Sequence, residues 1–200
     1  MEAPPPISME DPMRRSVLDK LISYVGLILA AVMLVAGGLL TWASVFVAGE
    51  VQTQFAAQDI TMPSQSDIDK LENPADKAAL QPYVGQKLTT GPQARAYADN
   101  YILAHMNASS GGRTYQQVSG EYMAMPDKTT PEAQQAAALR NTLFQGNTLR
   151  GLLLYGYAFA TIGTIAGIAA AVAFVAGIVL AILGFLGLRH ARAAGAETVE

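Results

Sequence analysis

GLLLYGYAFATIGTIAGIAAAVAFVAGIVLAILGFLGL, Gly151 to Leu188, runs for 38 residues without Asp, Glu, Lys, Arg or His. An α-helix rises about 1.5 Å per residue and the hydrocarbon core of a bilayer is about 30 Å thick, so about 20 apolar residues suffice to cross it. A second run free of those residues, Leu21 to Gly49, has 29 residues, and 101 mostly polar residues separate the two. The fold class expected is an all-α membrane protein: a hairpin of two transmembrane helices with a small helical extracytoplasmic domain inserted between the spans.

Composition narrows the function classes. The chain is 51% hydrophobic, and much of that content is concentrated in the two runs rather than spread through a globular core. A net charge of -3 offers no clustered basic footprint for nucleic acid. Cysteine is absent, which removes disulfides and thiol chemistry, and histidine occurs only at His105 and His190. Ionisable residues inside spans normally mark ion pathways and proton relays, so their absence here argues against transport. Asp99, His105 and Glu121 are the most metal-like group, but Asp99 and His105 are six apart and share a helix face poorly, so no metal, cofactor or catalytic residue is expected.

The flanks set the orientation. Arg14, Arg15 and Lys20 precede the first span, and no Lys or Arg follows it until Lys70. Basic residues concentrate on the cytoplasmic side, so both termini are expected inside, with Arg189 and Arg192 closing the second span. Tyr24 and Trp42 suit the two membrane interfaces. Arg14-Arg15-Ser16-Val17-Leu18 also resembles a twin-arginine export signal, but a cleaved signal has an apolar stretch of about 7 to 15 residues, far shorter than this run.

Along the chain the expected organisation is a disordered cytoplasmic tail over 1–14, a first transmembrane helix over 15–49, an extracytoplasmic helical domain over 50–130, a long helix including the second span over 131–188, and a cytoplasmic tail over 189–200. Within the domain, Ser66 to Leu71 and Ala75 to Leu80 read as brief helices. Gln93 to Ala108 carries the best helical periodicity and should end at Gly111-Gly112, and a further short helix fits Arg113 to Ala124. Thr129, Thr130, Pro131 and Glu132 form a strong helix start, and no proline follows before Arg189.

The longer run would extend roughly 57 Å as a helix, nearly twice the hydrocarbon thickness. With Arg189 at the inner end, Gly151 to about Gly163 should stand above the bilayer and pack on protein. Tyr155 and Tyr157 lie there and are expected to meet the helix containing Tyr97 and Tyr101. Small residues recur every fourth position at Gly163, Gly167 and Ala171, and again at Ala169, Ala173, Gly177 and Ala181, a spacing that lets helix backbones approach closely in lipid. Helix–helix or partner contact is therefore expected at Gly163, Gly167, Ala171, Gly177, Tyr155 and Tyr157.

Leu88–Asp99 (LTTGPQARAYAD), followed by Gly111–Tyr115 (GGRTY), and Arg140–Phe144 (RNTLF) with Thr148–Gly151 (TLRG), together with the two spans, resemble actinobacterial two-span membrane proteins of unknown function. Some of these carry the transferred name aromatic ring-opening dioxygenase LigA. An extradiol enzyme of that type needs an iron held by two histidines and a carboxylate, whereas His105 and His190 are expected on opposite sides of the membrane. What the resemblance implies is a bacterial plasma membrane location, with no catalytic residue carried over.

The function expected is that of a non-enzymatic integral membrane protein, an accessory or scaffold subunit docking onto a larger membrane or cell-envelope complex. The partners are then the lipid bilayer and another membrane protein or a second copy. The alternative is an extracytoplasmic sensing or ligand-binding module, with Tyr97, Tyr101, Tyr115 and Tyr122 lining a pocket.

Overall fold

The computed structural model describes the backbone of residues 15–196 and the side chains of residues 17–193. The tail expected over 1–14, with Arg14, lies outside the described residues, as does the side chain of Arg15. Among the described residues all regular structure is helical apart from one isolated bridge between Thr61 and Lys87. Two helices, α1 (Arg15–Ala57) and α7 (Pro131–Ala196), are long and apolar enough to span a membrane. Between them come α2 (Gln65–Asp69), α3 (Pro74–Leu80), α4 (Gly91–Tyr97), α5 (Leu103–Ser110) and α6 (Tyr115–Ala124).

The short helices start where side chains satisfy the free amides of a first turn. Ser64 accepts from the Asp67 amide, Asn73 from the Ala75 amide, and Thr90 with Gln93 and Thr114 with Gln117 form reciprocal capping boxes. Gly111 closes α5 with φ 63°, a left-handed conformation that costs glycine little. At the head of α7 the Ala133 amide donates to Thr130 Oγ1 at 3.2 Å.

The periodicity over Gln93 to Ala108 is realised with one irregularity. A π-helical turn, Ala98–Ile102, joins α4 to α5, and the Leu103 amide reaches back to the Ala98 carbonyl. Helix α1 continues eight residues beyond Gly49, and α7 passes Gly146 and Gly151 without interruption.

The chain forms two compact units, one comprising the described residues up to Ala43 together with those from Ala166, the other Ser44–Ile165. In the first, α1 and α7 pack with numbering running in opposite directions. A Cβ on Gly184 would lie 2.8 Å from Leu27, one on Gly177 would lie 3.0 Å from Leu34, and one on Gly37 would lie 3.1 Å from the Phe174 ring. An added methyl at Gly184 would force Leu27 to shift, and at Gly177 and Gly37 it would press Leu34 and Phe174 back by a few tenths of an ångström.

The second unit has its own core. Met62, Ile68, Leu80, Leu88 and Ala94 are buried with Phe55 of α1 and Leu153 of α7, and a smaller cluster joins Met106, Val118 and Leu143. The buried Gln93 ties the segments together. Its Oε1 accepts from the Thr89 and Thr90 amides at 2.9 and 3.1 Å, and its Nε2 donates to Gln86 Oε1 at 3.0 Å.

Candidate functional site

Within the Ser44–Ile165 unit, α7 has an inward and an outward face. Inward, Leu143 and Leu153 are buried, and a Cβ on Gly156 would collide with the Phe55 ring. Tyr157 receives a hydrogen bond from Arg95 Nη1 at 2.9 Å, and the Arg95 guanidinium carbon stands 5.1 Å from the centroid of the same ring. Arg95 Nε also lies 3.8 Å from Asp99. The other oxygen of Asp99 accepts from Arg150 Nη2 at 2.9 Å, and Arg150 Nε donates at 3.0 Å to the Ala98 carbonyl of the π-turn. Arg150 thus binds a carbonyl and a carboxylate with one planar group, a geometry lysine cannot reproduce.

Outward, α7 shows Leu152, Tyr155, Phe159 and Ile162, which are 61%, 68%, 57% and 57% exposed. At about 100° per residue these four share one side of the helix. The neighbouring stretch of α1 has the opposite character. Phe55 meets Gly156, and Val47 lies 3.2 Å from where a Gly163 Cβ would be, so Glu50 to Gln54 stand beside residues 157–160. There α1 exposes Glu50, Gln52, Thr53 and Gln54. At one level of the unit, polar side chains occupy the surface of α1 while large apolar ones occupy the surface of α7. A surrounding solvent of either kind, water or lipid, would suit only one of the two.

The residues expected at contacts divide between these settings. Tyr157 meets the helix at Gly91–Tyr97 through Arg95 rather than through Tyr97 or Tyr101, and Tyr155 faces outward. Gly163 is buried and its carbonyl accepts from Ser44 Oγ at 2.7 Å. Gly177 is buried, Gly167 half-buried and Ala171 exposed. Buried small residues of α7 recur every seventh position, at Gly163, Ala170, Gly177, Gly184 and Ala191, with Ala173 buried beside them, and α1 repeats the seven-residue pattern at Ser23, Ala30 and Gly37. The seven-residue period is readable in the sequence beside the expected spacing of four, which joins the buried Ala173 and Gly177. Tyr24, Trp42 and Arg189 are exposed.

The four tyrosines weighed as a pocket lining are distributed differently. Tyr97 stacks on Tyr101 with ring centroids 5.2 Å apart, and Tyr101 meets the His105 ring at 4.3 Å. Tyr115 packs against Phe144 at 6.0 Å, and Tyr122 lies beneath Lys128 and Arg140. Burial raises the Tyr97 phenol pKa, helped by Tyr101 beside it. A groove of about 690 Å³ runs past Tyr101 and His105 to Asp67, Lys70, Asn73 and Asp76. Of its acids, Asp67, Glu72 and Asp76, Asp67 is already engaged: hydrogen bonds from the Ser64 hydroxyl and Lys70 hold it below the usual carboxylate range.

Asp99, His105 and Glu121 do not converge. Asp99 pairs with Arg150, Glu121 with Arg113 at 2.6 Å, and His105 Nδ1 lies 2.7 Å from the Tyr101 carbonyl. Among the described residues no three His, Asp or Glu side chains form a group that could hold a metal ion. No protein-family model, curated protein or solved structure matches the chain.

Proposed function

We propose that this chain is a two-span accessory subunit of the bacterial plasma membrane, both termini cytoplasmic, which docks onto another membrane protein through the outward face of α7. The observation that carries this reading is the mismatch between the polar Glu50 to Gln54 of α1 and the apolar Phe159 beside them, continued along α7 by the exposed Tyr155 and Leu152. A bilayer surrounding both helices would desolvate the polar side chains, and water would surround the apolar ones; a protein on the α7 side alone satisfies both. The length of the helix supports the same reading. About 20 residues back from Leu188 the hydrocarbon is already crossed, which leaves Gly151 to Gly163 above it.

In this reading the Ser44–Ile165 unit is an extracytoplasmic scaffold that keeps α7 presented. The Arg95–Asp99–Arg150 network holds the inward face, so the outward face is offered in a fixed conformation and loses little freedom on docking. The test is purification in mild detergent after cross-linking in cells. A complex larger than the chain is expected, and Leu152→Gln with Phe159→Gln should disperse it; a lone monomer for the unaltered chain would sink the proposal.

A second reading, a ligand-binding module, is favoured only by the groove beside Tyr101 and His105. Ligand-induced quenching of tyrosine fluorescence that is lost in Tyr101→Phe/His105→Ala would favour it over docking.

A further inference from the structure

The apolar face of α7 has a charged end. Arg140, Asn141 and Phe144 fall in the same sector, about 120° wide, as Leu152, Tyr155, Phe159 and Ile162. With Tyr115 and Ala137 they line a recess of about 260 Å³. The Arg140 guanidinium carbon is 5.5 Å from the centroid of the Tyr122 ring, and the Lys128 ammonium is 4.7 Å from the same centroid. Among the described residues neither cation has a carboxylate partner: Lys128 Nζ is taken up by the Tyr122, Met123 and Met125 carbonyls, whereas Arg140 hydrogen-bonds the Tyr115 hydroxyl and its Nε is buried without an acceptor. Nearby acids are turned to other work: Glu121 pairs with Arg113, and Asp127 accepts from the Thr129 amide and hydroxyl at 2.8 and 2.7 Å.

We infer that the occupant of this face is a different membrane protein, not a second copy, and that it brings an Asp or Glu carboxylate to Arg140. The inference rests on the docking reading above and adds the chemistry of the partner. Two copies in one membrane share an orientation, so their two-fold axis would run along the bilayer normal and set α7 parallel to α7. Arg140 would then face Arg140, and two unbalanced cationic ends would repel. A foreign carboxylate pairs with the guanidinium instead, and such a pair at the end of an apolar contact fixes register and rejects wrong partners. From Ile162 to Arg140 is about 33 Å along the helix, so the partner must rise that far above the bilayer.

Photoreactive residues placed singly at Asn141 and at Phe159 of the full-length chain in cells, with adducts mapped by mass spectrometry, test this. Both positions should capture the same foreign protein, and the segment captured at 141 should hold an Asp or Glu within one helical turn. Arg140→Glu should lower the yield at 141 at least tenfold while leaving the yield at 159, which also reports that the variant is folded. Arg140→Lys should retain most of the yield, and an acid-to-Lys change in the captured segment should rescue Arg140→Glu. An adduct to a second copy, a captured segment without an acid, or indifference to Arg140→Glu would overturn the inference. Capture at 159 with none at 141 strikes the inference alone, whereas no protein adduct at 159 strikes the docking reading itself.

Discussion

Gly156 and Phe55 show how much one hydrogen can decide. A methyl group on Gly156 would occupy the space of the Phe55 ring, so Gly156→Ala should destabilise by about 1–3 kcal/mol through overpacking. Phe55→Ala should cost about 3–5 kcal/mol because it empties a core position. The double variant should lose less than the sum, since the added methyl then fills part of the vacated volume; additive thermal melts would contradict the assigned contact. At Asp59, just past α1, Lys87 supplies a hydrogen bond and a positive charge that lower the carboxyl pKa from its ordinary 3.8. A depressed folded value means the stabilisation is present above the unfolded pKa and is lost as pH falls through the folded one. Lys87→Met should return the Asp59 titration, followed by carbon NMR of the carboxylate, toward the ordinary range. Neither pairing was legible in the sequence, because 28 residues separate Asp59 from Lys87 and about a hundred separate Phe55 from Gly156.

Helices were more legible than their irregularities. Thr90 with Gln93, Thr114 with Gln117 and Thr130 with Pro131 mark starts that depend on adjacent residues alone, so the sequence states them. The π-turn at Ala98–Ile102 is bound by Arg150, some fifty residues away, whose Nε donates to the Ala98 carbonyl while its Nη2 donates to Asp99. No local pattern could announce it. Arg150→Lys keeps the charge but cannot hold both acceptors, and Arg150→Met holds neither. Hydrogen bonds to charged groups contribute about 1.5–3 kcal/mol, so Arg150→Met should lose about that much in chemical denaturation and Arg150→Lys less. Equal stability of all three would mean the π-turn stands without the guanidinium. The stripes of small residues were visible, and their spacing of four includes the buried pair Ala173 and Gly177; a longer seam follows seven residues, close to two turns, because a spacing of four drifts around a helix. Gly177, expected as a contact, meets Leu34, whereas Gly184 is readable as a contact only once Leu27 is known to sit there.

For the whole molecule, the decisive test concerns sides of the membrane. The chain has no cysteine, so a single introduced thiol reports its own location without background. Ser66→Cys should react with an impermeant maleimide in intact cells, and His190→Cys only after permeabilisation; the reverse pattern would invert the orientation argued from Arg14, Arg15 and Lys20. The lengths of the two apolar runs made two helices able to span a membrane legible at once, whereas the outward face of α7 was legible only as surplus length, because which of its sides the chain itself covers depends on Phe55, Arg95 and Tyr157. That uncovered side has a consequence for the life of the chain in the cell. If the face docks a partner as proposed, a copy made in excess, with Leu152, Tyr155 and Phe159 open to chaperones and proteases that grip apolar surface, should be short-lived. Its abundance would then follow the partner's supply rather than its own rate of synthesis, and deleting the partner's gene would shorten its half-life without touching its sequence.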